Sequence, residues 1–99
     1  MADPSTTRWR IRWTTDAAND LEHIYQYISR DNPKAAGDVI RVITEDIGKL
    51  KVFPTLGRNG RVPGTRELVF ASLPYIAAYR VKENAVEILR VYHAAQDWP

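Results

Sequence analysis

The sequence predicts an α+β fold of two layers, in which a helical hairpin packs on one face of a small, mostly antiparallel sheet. Three observations carry this prediction: an alternating stretch near the start, two amphipathic stretches with helical spacing, and three closely spaced β-rich stretches in the second half. The predicted order of elements is β-α-α-β-β-β. A chain of 99 residues with 44% apolar composition can bury one core, and we expect a single domain over residues 8–99.

The first predicted element is a strand that follows a short polar segment. Residues 1–7 include proline, serine and threonine and predict a flexible N-terminal arm. Residues 8–14, RWRIRWT, alternate basic and apolar side chains, which is typical of a half-buried strand. Arg8, Arg10 and Arg12 share one face of it. We expect this strand at an edge of the sheet or beside a central strand.

Two helices are predicted next, separated by a short break. The first has Thr15 or Asp16 as its cap and ends around Arg30. The second starts at Asn32-Pro33, with asparagine as cap and proline at the first helical position, and it ends at Phe53-Pro54. Apolar residues at helical spacing form the predicted core stripes: Ala17, Leu21, Ile24, Tyr27 and Ile28 in the first helix, and Ala36, Val39, Ile40, Ile43, Ile47 and Leu50 in the second.

The rest of the chain predicts an antiparallel meander. Residues 55–64 contain three glycines and a proline and are predicted to form only a loop. Strands are predicted at residues 65–70, 74–81 and 85–93, because the breaks between them have hairpin length. Strict alternation in the last strand puts its side chains on two sides, and the pattern does not decide which side is buried: Ile88, Arg90 and Tyr92 share one side, and Leu89, Val91 and His93 share the other.

Composition narrows the classes of function. The chain has no cysteine, and its two histidines lie far apart, so neither a metal site nor a cofactor is predicted. No stretch approaches the ~18 apolar residues of a membrane span, and the first residues lack the apolar core of a secretory signal. We therefore expect a cytoplasmic protein without a membrane partner. Arginine outnumbers lysine ten to four, and residues 52–82 hold five basic residues against Glu67 alone, which favours contacts with phosphate or carboxylate groups.

The candidate functional residues lie in this arginine-rich half, on the face of the sheet that the helices leave open. They are Arg58, Arg61, Arg66, Glu67, Arg80, Arg90, Tyr92, His93, Gln96 and Trp98. We expect Arg66, Arg80 and His93 to converge on that face.

Several candidates also have a structural interpretation. His93 can serve as an acid or base near neutral pH, or it can be a hydrogen-bonded structural residue. Glu67 points away from Arg66 and can form a salt bridge instead of a catalytic pair. Tyr79 is favoured as a core residue. Trp98 must either dock on the domain or contact a partner.

Five stretches, taken in order, carry a family resemblance: NPKAA, FPTLGR, GTRELV, PYIAAYRV and VEILRVYHAAQDWP. Together they resemble the RelE/ParE superfamily of toxins from bacterial type II toxin-antitoxin modules, over nearly the whole chain. The resemblance implies a toxin that inhibits growth when it is free of its antitoxin. It also implies a cognate acidic antitoxin that forms a hetero-oligomer with the toxin. An apolar groove beside the helical hairpin would suit an acidic, amphipathic segment of this antitoxin that folds on binding.

The resemblance leaves two activities open. RelE-like members cleave mRNA in the translating ribosome, whereas ParE-like members poison DNA gyrase. For a nuclease, His93 matches the position of an acid-base histidine in some members, Arg66 falls where a basic residue is usual, and Glu67 completes the candidate catalytic set.

Other positions favour the ParE-like branch. Ile76 stands where nuclease members typically place a phosphate-binding arginine. The ending RVYHAAQDW is similar to a ParE-type ending, with Ala94 and Gln96 in place of its glycine and arginine. We therefore expect a gyrase inhibitor, with an mRNA endoribonuclease as the alternative. In a gyrase inhibitor, the arginines and the tail would bind the target or the antitoxin.

Overall fold

The structure, a computed structural model, describes residues 8–96 and residue 98. The predicted arm at residues 1–7 lies outside the described residues. The elements follow the predicted order: β1 (Arg10–Trp13), α1 (Thr15–Ser29), α2 (Pro33–Gly48), a 3-10 turn (Lys49–Lys51), β2 (Arg58–Asn59), β3 (Arg66–Val69), β4 (Tyr75–Lys82) and β5 (Ala85–His93). None of the described helices is long and apolar enough to cross a bilayer.

The strands form one five-stranded sheet in the order β1-β5-β4-β3-β2. The meander from β3 to β5 is antiparallel, as predicted, β2 adds an antiparallel strand beside β3, and β1 pairs with β5 in parallel at the opposite edge. The prediction that residues 55–64 are only loop is wrong in one detail. Arg58 and Asn59 pair with Glu67 and Arg66, because the chain runs back along β3 for two residues before it turns.

The first residue of α2 is determined by a local sequence signal, whereas the first residue of α1 also depends on contacts with the sheet. Asn32 caps α2 as predicted, and its side chain accepts a hydrogen bond from Ala35 N–H at 3.1 Å. The cap of α1 is Thr14, one residue before the predicted Thr15. Thr14 Oγ1 accepts from Ala17 N–H and donates to the Ile88 carbonyl of β5, so the sheet fixes this helix start.

The hydrophobic core lies between the helical hairpin and one face of the sheet. Its largest fully buried side chains are Tyr79, Phe70, Ile43, Ile47, Leu50, Ile88 and Val86. The predicted stripes supply the helical part of this core, with one exception. Tyr27 is 69% exposed, because it precedes Ile28 by one residue and so lies about 100° around the helix from it. The prediction that Tyr27 faces the core is wrong.

Candidate functional site

The register of the sheet decides which side chains reach the face without helices, here called the open face. On β4, Ala77 and Tyr79 face the helices and belong to the core, so Ala78 and Arg80 point to the open face. Cross-strand pairing extends this assignment to neighbouring strands. The open face therefore also holds Arg12 of β1, Glu67 of β3, and Glu87 and Tyr92 of β5.

A β-bulge on β5 changes the alternation of its side chains. Ala78 pairs with Arg90 and Tyr79 pairs with Ile88, so Leu89 is an extra residue. Ile88 and Val91 are consequently both buried in the core, although strict alternation assigned them to opposite sides. The sequence-based division of β5 into two sides is wrong across this bulge.

A buried carboxylate organises one end of the open face. The side chain of Glu87 is only 7% exposed, and it binds Arg80 Nε at 2.6 Å and Arg12 Nη2 at 2.9 Å. The hydrogen bond from Arg80, followed by the charges of Arg80, Arg12 and Lys82, holds the pKa of Glu87 below its usual value, against the effect of burial. Arg10 and Lys82 line the same cavity of about 210 Å³.

Glu87→Gln is expected to make stability less sensitive to acid. Because the pKa of Glu87 is lower in the folded state, its contribution is complete above the unfolded value of 4.5 and is lost as pH falls through the folded value. The difference in melting temperature between wild type and Glu87→Gln should therefore shrink as the pH falls below 4.5. Glu45→Gln, in an exposed pair with Arg41, is the matched control. Parallel acid profiles for wild type and Glu87→Gln would contradict this assignment.

Glu67 and Tyr92 lie nearer the middle of the open face. Glu67 is buried and pairs with Arg58 Nε at 2.9 Å. Burial raises the pKa of Tyr92, the negative charge of Glu67 adds to this effect, and the charges of Arg58 and Arg61 oppose it. Glu67 thus forms a salt bridge, on the face opposite to Arg66.

Trp98 docks on the domain. Its ring stacks on Tyr92 with 6.3 Å between centroids and 22° between planes. Ile76 and Ala78, on the open face, are buried although no helix covers them, so side chains of this face shield its centre. Trp98 also lines a cavity of about 500 Å³ with Leu89 of the bulge.

Arg66 is on the helix-covered side of the sheet, because it pairs with core residue Tyr79. Its Nη1 donates to the Gly57 carbonyl at 2.9 Å. The Tyr79 hydroxyl accepts from Gly57 N–H and donates to the Pro54 carbonyl, both at 2.8 Å. Arg66 and Tyr79 therefore fasten the loop before β2 to the end of the sheet.

His93 closes a turn at the end of β5. It pairs with Tyr75, and the two rings meet edge to face with centroids 5.6 Å apart. Its Nδ1 accepts from Ala95 N–H at 3.0 Å, and its backbone N–H donates to Gln96 Oε1 at 3.0 Å. The imidazole is exposed, and the proton of the neutral ring belongs on Nε2.

Arg90 connects β5 to α1. Its guanidinium binds both carboxylate oxygens of Asp20 in α1, at 2.7 and 3.0 Å. Asp20 Oδ2 also accepts from Val91 N–H at 2.9 Å, at the edge of β5 beyond its pairing with β1. The hydrogen bond that Arg90 donates to Asp20 raises the pKa of Arg90, and the negative charge of Asp20 adds to this effect.

The predicted candidates therefore do not form one site. Arg80, Tyr92 and Trp98 lie on the open face, whereas Arg66 and His93 belong to the covered side at different ends of β4. The expectation that Arg66, Arg80 and His93 converge is wrong, because it ignored the parity of each strand. Arg10, Arg12, Lys82 and Glu87 are not among the predicted site residues, although the alternation in β1 already puts Arg10 and Arg12 on one face.

An apolar groove runs along the helical hairpin on the other side of the molecule. Its cavity of about 570 Å³ is lined by Trp13, Ala18, Leu21, Glu22, Tyr25, Ile40 and Thr44. Within residues 8–96 and residue 98, no cluster of histidine and carboxylate side chains could hold a metal ion.

Sequence and structure comparisons identify the family. Residues 11–98 match the family model described as the ParE toxin of the type II toxin-antitoxin system parDE. The chain is 47% identical to toxin Y4kP of Sinorhizobium fredii over 94% of this chain and 96% of that protein. It is 33% identical to toxin RelE2 of Caulobacter vibrioides over 88% of this chain and 97% of that protein.

A solved structure agrees with this match. The chromosomal ParDE toxin-antitoxin system of P. aeruginosa superposes with a TM-score of 0.78 at 32% identity, over 88% of this chain and 97% of that chain. With the two helices packed on a five-stranded sheet, these matches show that the chain belongs to the ParE toxin family of type II toxin-antitoxin systems.

Proposed function

We propose that this toxin arrests growth by poisoning DNA gyrase in the cytoplasm. The match to the ParE family model supports gyrase as the target, because the ParE-like members of the superfamily are the ones that poison DNA gyrase. The observation that carries the proposal against a nuclease is the separation of the candidate catalytic residues.

Cleavage of RNA needs a base, an acid and a cation around one phosphate group. Arg66 and His93 pair with Tyr79 and Tyr75, which are four residues apart on β4, or about 13 Å along the strand. Glu67 points to the opposite face and is already paired with Arg58. Ile76, at the position of the phosphate-binding arginine, is buried. This arrangement favours a binding toxin over a catalytic one.

An mRNA endoribonuclease acting in the ribosome is the second candidate. Two observations favour it: the similarity to toxin RelE2, and the exposed imidazole of His93.

His93→Ala separates the two activities. For a gyrase inhibitor, we expect growth arrest and accumulation of double-strand DNA breaks to persist in the variant. For a nuclease, loss of an acid-base group lowers the rate by about 10²–10⁴-fold, and transcript cleavage in cells should disappear. His23→Ala, which removes an exposed histidine from α1, is the matched control.

Two results would overturn the gyrase proposal. One is cleaved transcripts in cells expressing wild type that are absent with His93→Ala but present with His23→Ala. The other is purified toxin that leaves supercoiling by purified gyrase unchanged.

The proposal includes an antitoxin that binds the apolar groove of the helical hairpin. The ParDE neighbour is a toxin-antitoxin system, and the groove is wide and mainly apolar, as an amphipathic helix requires. An acidic antitoxin segment would also be attracted by the net charge of +2, so affinity should fall with salt.

Ala18→Arg tests where the antitoxin binds. The change puts a long charged side chain into the groove and is expected to weaken antitoxin binding about tenfold, or ~1.4 kcal/mol. Asn19→Arg is the control, since Asn19 is exposed and lies outside the groove lining. Titration with the antitoxin encoded beside the toxin gene measures both affinities. Equal affinities for the two variants would exclude the groove as the main contact.

A further inference from the structure

The charged end of the open face holds a group of basic residues to which the proposed function gives no role. We define the basic cluster as Arg10, Arg12, Arg80 and Lys82, which line one cavity. The acidic residues in that cavity are Glu83 and Glu87. Glu83 is exposed, but Glu87 is buried while the side chains of Arg12 and Arg80 are 69% and 45% exposed, so the carboxylate that binds these arginines lies inside and the arginines face solvent.

Glu87 binds the two arginines but occupies only some of their N–H groups. Arg12 gives Nη2 and Arg80 gives Nε to the carboxylate, so each guanidinium keeps further N–H groups for another anion. In the part of the chain that the structure describes, neither Arg10 nor Lys82 forms an ion pair. The cluster is therefore a preorganised anion-binding surface with two additional unpaired cations.

A cavity for a flat ring adjoins the basic cluster. The cavity of about 500 Å³ that Trp98 and Leu89 line is also lined by Arg80 and Lys82, so the two cavities are neighbours that share these two side chains. The indole is held in place by its stacking on Tyr92. Proteins that bind single-stranded nucleic acids combine aromatic side chains, on which the bases stack, with positively charged side chains, which contact the phosphates.

We infer that the open face binds single-stranded nucleic acid, with phosphates on the basic cluster and one base in the Trp98 cavity. Arg10 and Arg12 follow β1 at about 7 Å intervals, as residues on one face of a strand do, so they form a row of cations along an extended backbone. An acidic peptide would satisfy the cluster but would leave the indole cavity unused. This inference goes beyond the proposed function, because gyrase poisoning and antitoxin binding do not require it.

Fluorescence anisotropy with a labelled single-stranded DNA of about 8 nucleotides tests the site, since this length falls within the ~4–16 nucleotides that a single OB fold, a domain of similar size, binds. The purified full chain is titrated at several salt concentrations. Arg10→Ser/Lys82→Ser should weaken binding and reduce the slope of log affinity against log salt by about 1.4, because each lost phosphate contact on a single strand contributes ~0.7. Trp98→Ala should weaken binding about tenfold at every salt concentration.

The matched control is Arg30→Ser/Lys34→Ser, which removes the same two residue types from exposed positions at the turn between α1 and α2. It should keep the wild-type slope. The inference is overturned if the wild type does not bind, or if both double variants lose affinity equally. It is also overturned if the duplex of the same sequence binds as tightly as the single strand, or if polyglutamate of equal charge competes equally well.

Discussion

Gly57→Ala is expected to lower the free energy of unfolding by about 3 kcal/mol, because the added methyl group has no space. A Cβ atom on Gly57 would lie 2.7 Å from the Tyr79 ring and 2.8 Å from the backbone oxygen of Glu67. Neither group moves easily. Tyr79 is fully buried and its hydroxyl is bonded on both sides, and the Glu67 oxygen belongs to β3. Urea unfolding followed by circular dichroism measures the change.

Gly37→Ala is the control for this experiment and should have the opposite sign. Gly37 lies within α2, and nothing lies within 4 Å of a Cβ atom placed there. The alanine variant should be more stable by about 0.5–1 kcal/mol, since glycine in a helix loses more backbone entropy on folding. A Gly57→Ala variant as stable as wild type would mean that the loop is not fastened to Tyr79 as described.

Asp20→Ala is expected to destabilise the protein by about 2 kcal/mol, because it leaves the Val91 N–H without an acceptor and removes the partner of Arg90. The side chain of Arg90 is 41% exposed, so solvent screens the lost charge and most of the effect comes from the hydrogen bonds. Asp20→Asn keeps an oxygen for the Val91 N–H and should recover part of the loss. Thermal unfolding of both variants checks the order.

Asp38→Ala provides the comparison for an exposed ion pair. Asp38 contacts Arg41 at 3.7 Å, and both side chains are more than half exposed. Its removal should change stability by less than about 0.5 kcal/mol. Equal effects at the two positions would show that Asp20 does not join α1 to the edge of β5.

The sequence predicts the elements well because each has a strong local signal. Apart from Tyr27, the periodic apolar residues of the helices lie where they were expected, and so do the Asn32-Pro33 start of α2 and the strand within residues 8–14. The cap of α1 is one residue earlier, because Thr14 is chosen by its bonds to β5 as well as by local preference. A partner so distant in sequence leaves no trace in local propensity.

The site is harder to predict because it depends on which strands pair and in which register. The position of the extra residue Leu89 cannot be read from β5 alone, since it results from the pairing with β4. The parity of β3 and β4, once known, moves Arg66 away from Arg80. Conversely, the pairing of Arg12 with Glu87 needs the parallel contact of β1 and β5, which the sequence analysis left open.

The parallel pairing of β1 with β5 also determines when the sheet can form during synthesis of the chain. The residues that β1 pairs with run from Ala85 to Ile88, so a nascent chain must be elongated past them before its first strand has a neighbour. Pairing of strands so far apart in sequence closes a long loop and is slow compared with helix formation. The growing polypeptide therefore cannot add its first strand to the sheet until Ala85–Ile88 have been synthesised.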